Sequence, residues 1–165
     1  METGDVNSNM SSQLKSQNNW IASKDAAEIQ IVSVPIEGTK IKVRCAKAVA
    51  PLIAAFCKDF NELIEPIDGG ILDDWGYAFR NVRGSNDKLS NHSSGTAIDL
   101  NATKHPLGKK GTFPNEKVPM IRALAKKYGM IWGGDFRSRP DEMHFEIAVT
   151  PAKAAALIGS LGIGD

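Results

Sequence analysis

Apolar residues recur at three- and four-residue steps from Ala46 to Ile64: Val49, Leu52, Ile53, Phe56, Phe60 and Leu63. That spacing lays them along one face of a helix, with Pro51 tolerated near the first turns. Pro66, Gly69 and Gly70 then end it. A second helical stripe, Val118, Ile121, Leu124, Ala125 and Tyr128, is expected to start at an Asn115 cap and close at Gly129. A third helix is expected after a Thr150 cap, with Pro151 at its first position and Gly162 past its end. Between the helices the period changes to two. Ile29, Ile31 and Val34 lean towards a strand, Ile41 and Val43 towards another, and Glu37-Gly38-Thr39 supplies hairpin turn chemistry. Ile71 to Lys88 reads as a strand followed by an irregular loop around Gly84-Ser85-Asn86. Thr96 to Asn101 alternates, with Ala97, Asp99 and Asn101 on one face; Met143 to Val149 alternates too, with His144, Glu146 and Ala148 together. The pattern predicts an α+β fold, a small, mainly antiparallel sheet flanked by helices, in one domain over residues 21–165. Residues 1–20, rich in Ser, Asn and Gln, bury too little to offset ordering entropy and read as a disordered tail.

Composition narrows the function classes. The chain has 165 residues and a formal net charge of +1, so no strong field attracts nucleic acid or an acidic membrane surface. No apolar stretch approaches the roughly 20 residues needed to span a bilayer. No basic start followed by an apolar run marks a secretory signal, so release from a host cytoplasm or carriage on a virion is expected for any action outside the cell. A monomer is expected. Cys45 and Cys57, read as lying on one helix, would stand about 18 Å apart along its axis, so free thiols are expected. Neither belongs to a Cys-x-x-Cys pair, which argues against a zinc ribbon or redox motif.

The chemistry concentrates around two of the three histidines, His92, His105 and His144. His92 sits in Ser90-Asn-His92-Ser-Ser-Gly95-Thr-Ala97-Ile-Asp99, an S-x-H-x-x-G-x-A-x-D pattern. Gly95 lets the chain turn sharply, and Ala97, on the face of Asp99, leaves space beside a metal. A carboxylate within the apolar run Ala97-Ile98-Asp99-Leu100 is costly unless paired or metal-bound. Imidazole and carboxylate are both good zinc ligands, and His144 on a separate strand would complete a three-ligand site with one position open. Spacing alone leaves a metal site and a paired carboxylate as alternatives.

The run Leu89-Ser-Asn-His92-Ser-Ser-Gly95-Thr-Ala97-Ile-Asp99-Leu-Asn101, then Trp132-Gly-Gly-Asp135, then Asp141-Glu-Met-His144-Phe-Glu146, resembles the zinc D-Ala-D-Ala carboxypeptidase family. That family includes vancomycin-resistance dipeptidases and phage L-alanyl-D-glutamate endolysins, and shares its core fold with the hedgehog signalling domain. The likeness covers about residues 45–150. It implies one Zn2+ held by His92, Asp99 and His144, with Asp141 as catalytic base. The dipeptidases carry Glu at that position and the phage-type enzymes Asp. Pro140 and a tight turn are expected to bring positions 141 and 144 to one side. The resemblance also places Arg80, or less directly Arg83, against the scissile carbonyl. Ser90 and Glu146 are candidates for substrate contact or ligand support, with a cross-strand ion pair as the plainer reading of Glu146. Glu142 is expected to be exposed, and His105, before Pro106, to lie in a turn or on the substrate rim. Trp75, Tyr77 and Trp132 are expected in the core or cleft wall.

These readings lead to a peptidoglycan peptidase acting on the stem peptide, as an L-alanyl-D-glutamate endopeptidase or a D-alanyl-D-alanine carboxypeptidase. Two alternatives stand beside it: a zinc-stabilised binding module or phage structural component, and a zinc hydrolase of a small amide. Asp141 argues against the first, because a structural zinc needs no base.

Overall fold

The computed structural model describes residues 13–69 and 71–164. It is α+β, as expected, with three helices around small antiparallel sheets. A short hairpin pairs β1 (Leu14–Lys15) with β2 (Ile21–Ala22), and a second pairs β3 (Ile31–Pro35) with β4 (Lys42–Ala46). Helix α1 (Ala50–Leu63) follows a single 3-10 turn. The strand β5 (Ala97–Asp99) comes next, then α2 (Val118–Lys127), β6 (Met130–Trp132), β7 (His144–Ile147) and α3 (Pro151–Leu161). The central sheet has the order β5-β7-β6 and is antiparallel throughout.

Register divides the two faces of that sheet. Asp99 lies opposite His144 and Ala97 opposite Glu146, while Ile98 and Trp132 both lie opposite Phe145. Directly opposed residues share a face, so one face carries the polar site and the other enters the core. Phe145 is fully buried, its ring centroid 4.8 Å from Phe56 and 5.6 Å from Phe60 of α1. The residue between His144 and Glu146 is thus clamped by α1, which fixes the strand that presents them.

Several local expectations hold. Thr150 accepts a hydrogen bond from the Lys153 amide and caps α3, and Gly162 ends it in the left-handed conformation. The α1 stripe is buried from Val49 to Phe60, but Leu63 is exposed because it lies at the last position of the helix. Other expectations need correction. Asn115 does not cap α2; it sits inside a 3-10 turn, Asn115–Lys117, that leads into the helix without a side-chain cap. Ile71 to Lys88 forms no continuous strand; Trp75 bridges Asp99 and Asn81 bridges Leu89 as isolated pairs. Trp75 is about half exposed at 51% and does not line the cleft described below, so it belongs to neither core nor cleft wall. Cys45 lies in β4, not on the helix with Cys57. Both thiols are free and buried, and burial pushes Cys45 up to about 12. No helix among the described residues is long and apolar enough to cross a membrane.

The expected tail is corrected over residues 13–20; residues 1–12 lie outside the described residues. Residues 13–20 run as a strap across the loop before β5. Asn18 donates its backbone N–H to Asn91 Oδ1 at 2.8 Å and its side-chain amide to Thr96 Oγ1 and the Ile147 carbonyl. Ser16 Oγ donates to Ser94 Oγ at 2.7 Å, and the buried Trp20 donates its indole N–H to the Val149 carbonyl. These polar side chains are ordered by specific partners rather than by apolar burial.

A candidate metal centre

The loop that carries His92 is built by its serines. Ser90 Oγ accepts from the His92 amide and caps the 3-10 turn Asn91–Ser94, which ends at Gly95 with φ 72°. Ser93 Oγ donates to the Arg80 carbonyl and accepts from the Arg80 amide, while Ser90 N–H donates to that same carbonyl. Arg80 and His92 are thereby locked side by side. Ser90 also lines the cleft, but its hydroxyl is engaged in holding the loop.

His92, Asp99 and His144 converge as expected: one ligand atom from each lies within 4.8 Å of the others, and all three residues are buried. His92 Nδ1 contacts the Gly76 carbonyl at 2.7 Å, so that nitrogen is the protonated one and Nε2 carries the lone pair. This Nε2 is buried with no hydrogen-bond partner. It stands 3.3 Å from Asp99 Oδ1, and His144 Nδ1 stands 3.1 Å from the same oxygen. Two ligands roughly 2.0–2.2 Å from one zinc at tetrahedral angles are about 3.3–3.6 Å apart. An orphaned buried nitrogen and two ligand separations close to that spacing fit a metal.

The electrostatics agree. Burial raises the Asp99 carboxyl, but the hydrogen bond with His144 and the closeness of both imidazoles outweigh it and hold the group well below the usual carboxylate range. Burial likewise works against charge on His144, and contacts with Asp99 and Glu146 override it, lifting the imidazole to about 10. Two carboxylates therefore favour a cation at this place. Glu146 Oε1 lies 2.6 Å from His144 Nε2, which leaves Nδ1 to face Asp99 and the metal position. The pair joins two residues of β7, so the expected cross-strand ion pair is replaced by one within a strand, which would orient the His144 ring towards a metal. Truncation by Glu146→Ala is expected to weaken zinc affinity about 10–100-fold in competition with a chromogenic chelator. Unchanged affinity would leave Glu146 with no role in orienting the ligand.

Asp141 sits beside this group because of a turn. The His144 amide donates to the Asp141 carbonyl at 3.1 Å, and the Asp141 amide donates to the Gly133 carbonyl at 2.9 Å. The tight turn after Pro140 therefore puts positions 141 and 144 on one side. Asp141 Oδ1 is buried without a partner. Burial pushes its carboxyl above the ordinary value, and Asp99 adds to this against His144, His92 and Arg80. Gly133, from the Trp132-Gly-Gly-Asp135 motif, is needed for the close approach. A Cβ there would collide with the Asp141 carbonyl oxygen and lie 3.0 Å from His144 Cβ. Gly133→Ala is expected to cost about 1–3 kcal/mol of stability by overpacking. A lower melting temperature together with reduced turnover checks this; a variant normal in both would contradict the packing account.

An open cleft of about 580 Å³ runs over the centre. Arg80, Arg83, Ser90, Asp141, His144 and Glu146 all line it, so the sequence candidates outside the ligand triad reach one surface. Gln17 and Asn18 of the strap line it too, and the sequence had pointed away from them.

His105 lies in a bend just after a turn, as one of its two expected placements had it, and Glu142 is buried, against expectation. His105 is 1% exposed and stacks on Phe113 at 3.8 Å, so it is not on a substrate rim. Its Nε2 contacts Glu65 Oε2 and its Nδ1 contacts Thr112 Oγ1, both at 2.7 Å. Thr112 in turn donates its hydroxyl and amide to Glu142, which also accepts from the Gly111 amide and is 3% exposed. This network anchors the neighbour of Asp141 from behind. The Trp132 indole, buried as expected, donates to the Glu142 carbonyl at 2.9 Å and braces the same turn.

No curated protein and no solved structure matches the chain. A family model does match, over residues 83–147, a span that includes His92, Asp99, Asp141 and His144 and begins just after Arg80. Together with the buried His/Asp/His group, this shows that the chain carries, over those residues, a peptidase domain of the D-alanyl-D-alanine carboxypeptidase family.

Proposed function

We propose that this protein is a zinc peptidase that hydrolyses the peptidoglycan stem peptide at the L-alanyl-D-glutamate bond. The observation that carries the hydrolytic reading is Asp141, whose buried, unpartnered Oδ1 lies beside the His92/Asp99/His144 group. Zinc, when bound, supplies Lewis acidity towards a peptide carbonyl and acidifies water towards a pKa of about 7. His92 Nε2, Asp99 Oδ1 and His144 Nδ1 would hold it. Asp141 would take a proton from the attacking water and return it to the leaving amine, its raised pKa suiting both halves of that task. Arg80, whose backbone is held by Ser90 and Ser93, would turn its guanidinium to the carbonyl oxygen as negative charge develops there.

Aspartate at position 141 favours the phage-type endopeptidase, in line with the resemblance set out above, and a virion or a host cytoplasm would then be its starting point. The matching family, that of D-alanyl-D-alanine carboxypeptidase, favours a second reading, removal of terminal D-alanine. Digestion of purified peptidoglycan with zinc-loaded protein separates them by mass spectrometry. The endopeptidase produces new N-terminal D-glutamate and the carboxypeptidase free D-alanine. Absence of both products would refute a cell-wall peptidase.

A further inference from the structure

We infer that Arg83 and Arg139 form a subsite for a free carboxylate on the residue whose amine leaves, so that the substrate is a peptide with an anion beside the scissile nitrogen. This rests on the peptidase reading proposed above. Three arginines, the half-buried Arg80 and the exposed Arg83 and Arg139, line the same cleft. They arrive from two segments far apart in the chain. Arg80 precedes, and Arg83 lies within, a loop closed by the Val82 amide on the Lys88 carbonyl at 2.7 Å, and Arg139 immediately precedes Pro140 and the base. The gathering is local, because Lys and Arg total 20 against 19 Asp and Glu in the whole chain.

Asp99 and Asp141 favour the charge on Arg80 from a distance, but among the described residues no carboxylate pairs directly with any of the three. Arg122 on the outer surface, by contrast, pairs with Asp135 at 2.8 Å. The two carboxylates of the cleft are committed elsewhere, Glu146 to His144 and Asp141 to the reaction. Burial works against the charge on Arg80, and the nearby Arg83 adds to this. Like charges held together without a partner are unfavourable until an anion enters between them. With Arg80 assigned to the carbonyl, Arg83 and Arg139 remain, and a planar guanidinium matches a carboxylate in a bidentate fork.

Both candidate bonds offer that anion in the same place. In an L-alanyl-D-glutamate link continued through the side-chain carboxyl, the carbon bearing the leaving amine keeps a free α-carboxylate. In D-alanyl-D-alanine, the leaving residue has its terminal carboxylate on the corresponding carbon. One subsite therefore serves either substrate, and the two sources are distinguished by experiment.

The test uses the zinc-loaded Asp141→Asn protein, full length, with isothermal titration calorimetry. Four probes are compared: L-alanyl-γ-D-glutamyl-L-lysine and its D-isoglutamine counterpart, and a stem pentapeptide ending in D-alanyl-D-alanine and its C-terminal amide. In one of these pairs the free acid is expected to bind about tenfold or more tightly than the amide, as charge-assisted hydrogen bonds predict. Adding Arg83→Gln or Arg139→Gln is expected to shrink that ratio. The pair that shows the effect identifies the source of the carboxylate. Equal binding of acid and amide in both pairs, no binding by any probe, or a ratio unchanged in both arginine variants would overturn the inference. Wild-type cleavage of the same peptides is followed in parallel. Carboxylate-dependent binding without cleavage would refute the proposed reaction and support the subsite; cleavage indifferent to amidation would do the reverse.

Discussion

Asp141→Asn is expected to lower kcat/KM on a stem-peptide substrate by about 10²–10⁴-fold while the protein still takes up one zinc ion. Asparagine preserves the size of the side chain and the backbone turn that ties position 141 to Gly133 and His144. What it removes is the ability to accept and return a proton. Because burial raises the carboxyl of Asp141, the acidic limb of the wild-type profile is expected above the ordinary carboxylate pKa of about 4. A base must be deprotonated, so activity falls as pH drops through that value and is retained above it. Full activity in the asparagine variant would remove Asp141 from the mechanism.

His92→Ala gives the opposite pattern, loss of the metal together with all turnover. Wild-type protein at a zinc concentration 100 times its Kd gains about 2.7 kcal/mol from mass action, which raises the melting temperature by roughly 5–10 °C. The variant is expected to show no such shift, because His92 Nε2 is the one ligand nitrogen with no alternative partner. Circular dichroism of the metal-free forms separates metal loss from misfolding. A variant that kept both the zinc-dependent shift and its turnover would show that the triad is not the metal site.

Much of this centre was legible in the sequence because strand parity is a local property. Asp99 in an apolar run and His144 with Glu146 two residues on were enough to put the three side chains on one face of a sheet, and the register confirms this. The turn at Pro140 was legible for the same reason. Elements whose burial depends on distant partners were not. Glu142 reads as a surface acid until Gly111 and Thr112, about 30 residues earlier, close over it. His105 is buried by Phe113 and by Glu65, which lies 40 residues before it. Residues 13–20 misled most, since Ser, Asn and Gln signal solvated chain on average, and only the tertiary fold supplies the acceptors that Asn18 and Ser16 satisfy. Trp20, the large apolar residue that ends the segment, was the sole local hint of docking.

The central claim is that one ion sits among His92, Asp99 and His144, with Asp141 beside it and not bound to it. Anomalous diffraction recorded across the zinc edge, from crystals of zinc-loaded protein, measures this directly. The account predicts a single strong peak roughly 2.0–2.2 Å from His92 Nε2, Asp99 Oδ1 and His144 Nδ1, with Glu146 on the far nitrogen of His144. A peak elsewhere, or no peak in fully loaded crystals, would contradict it.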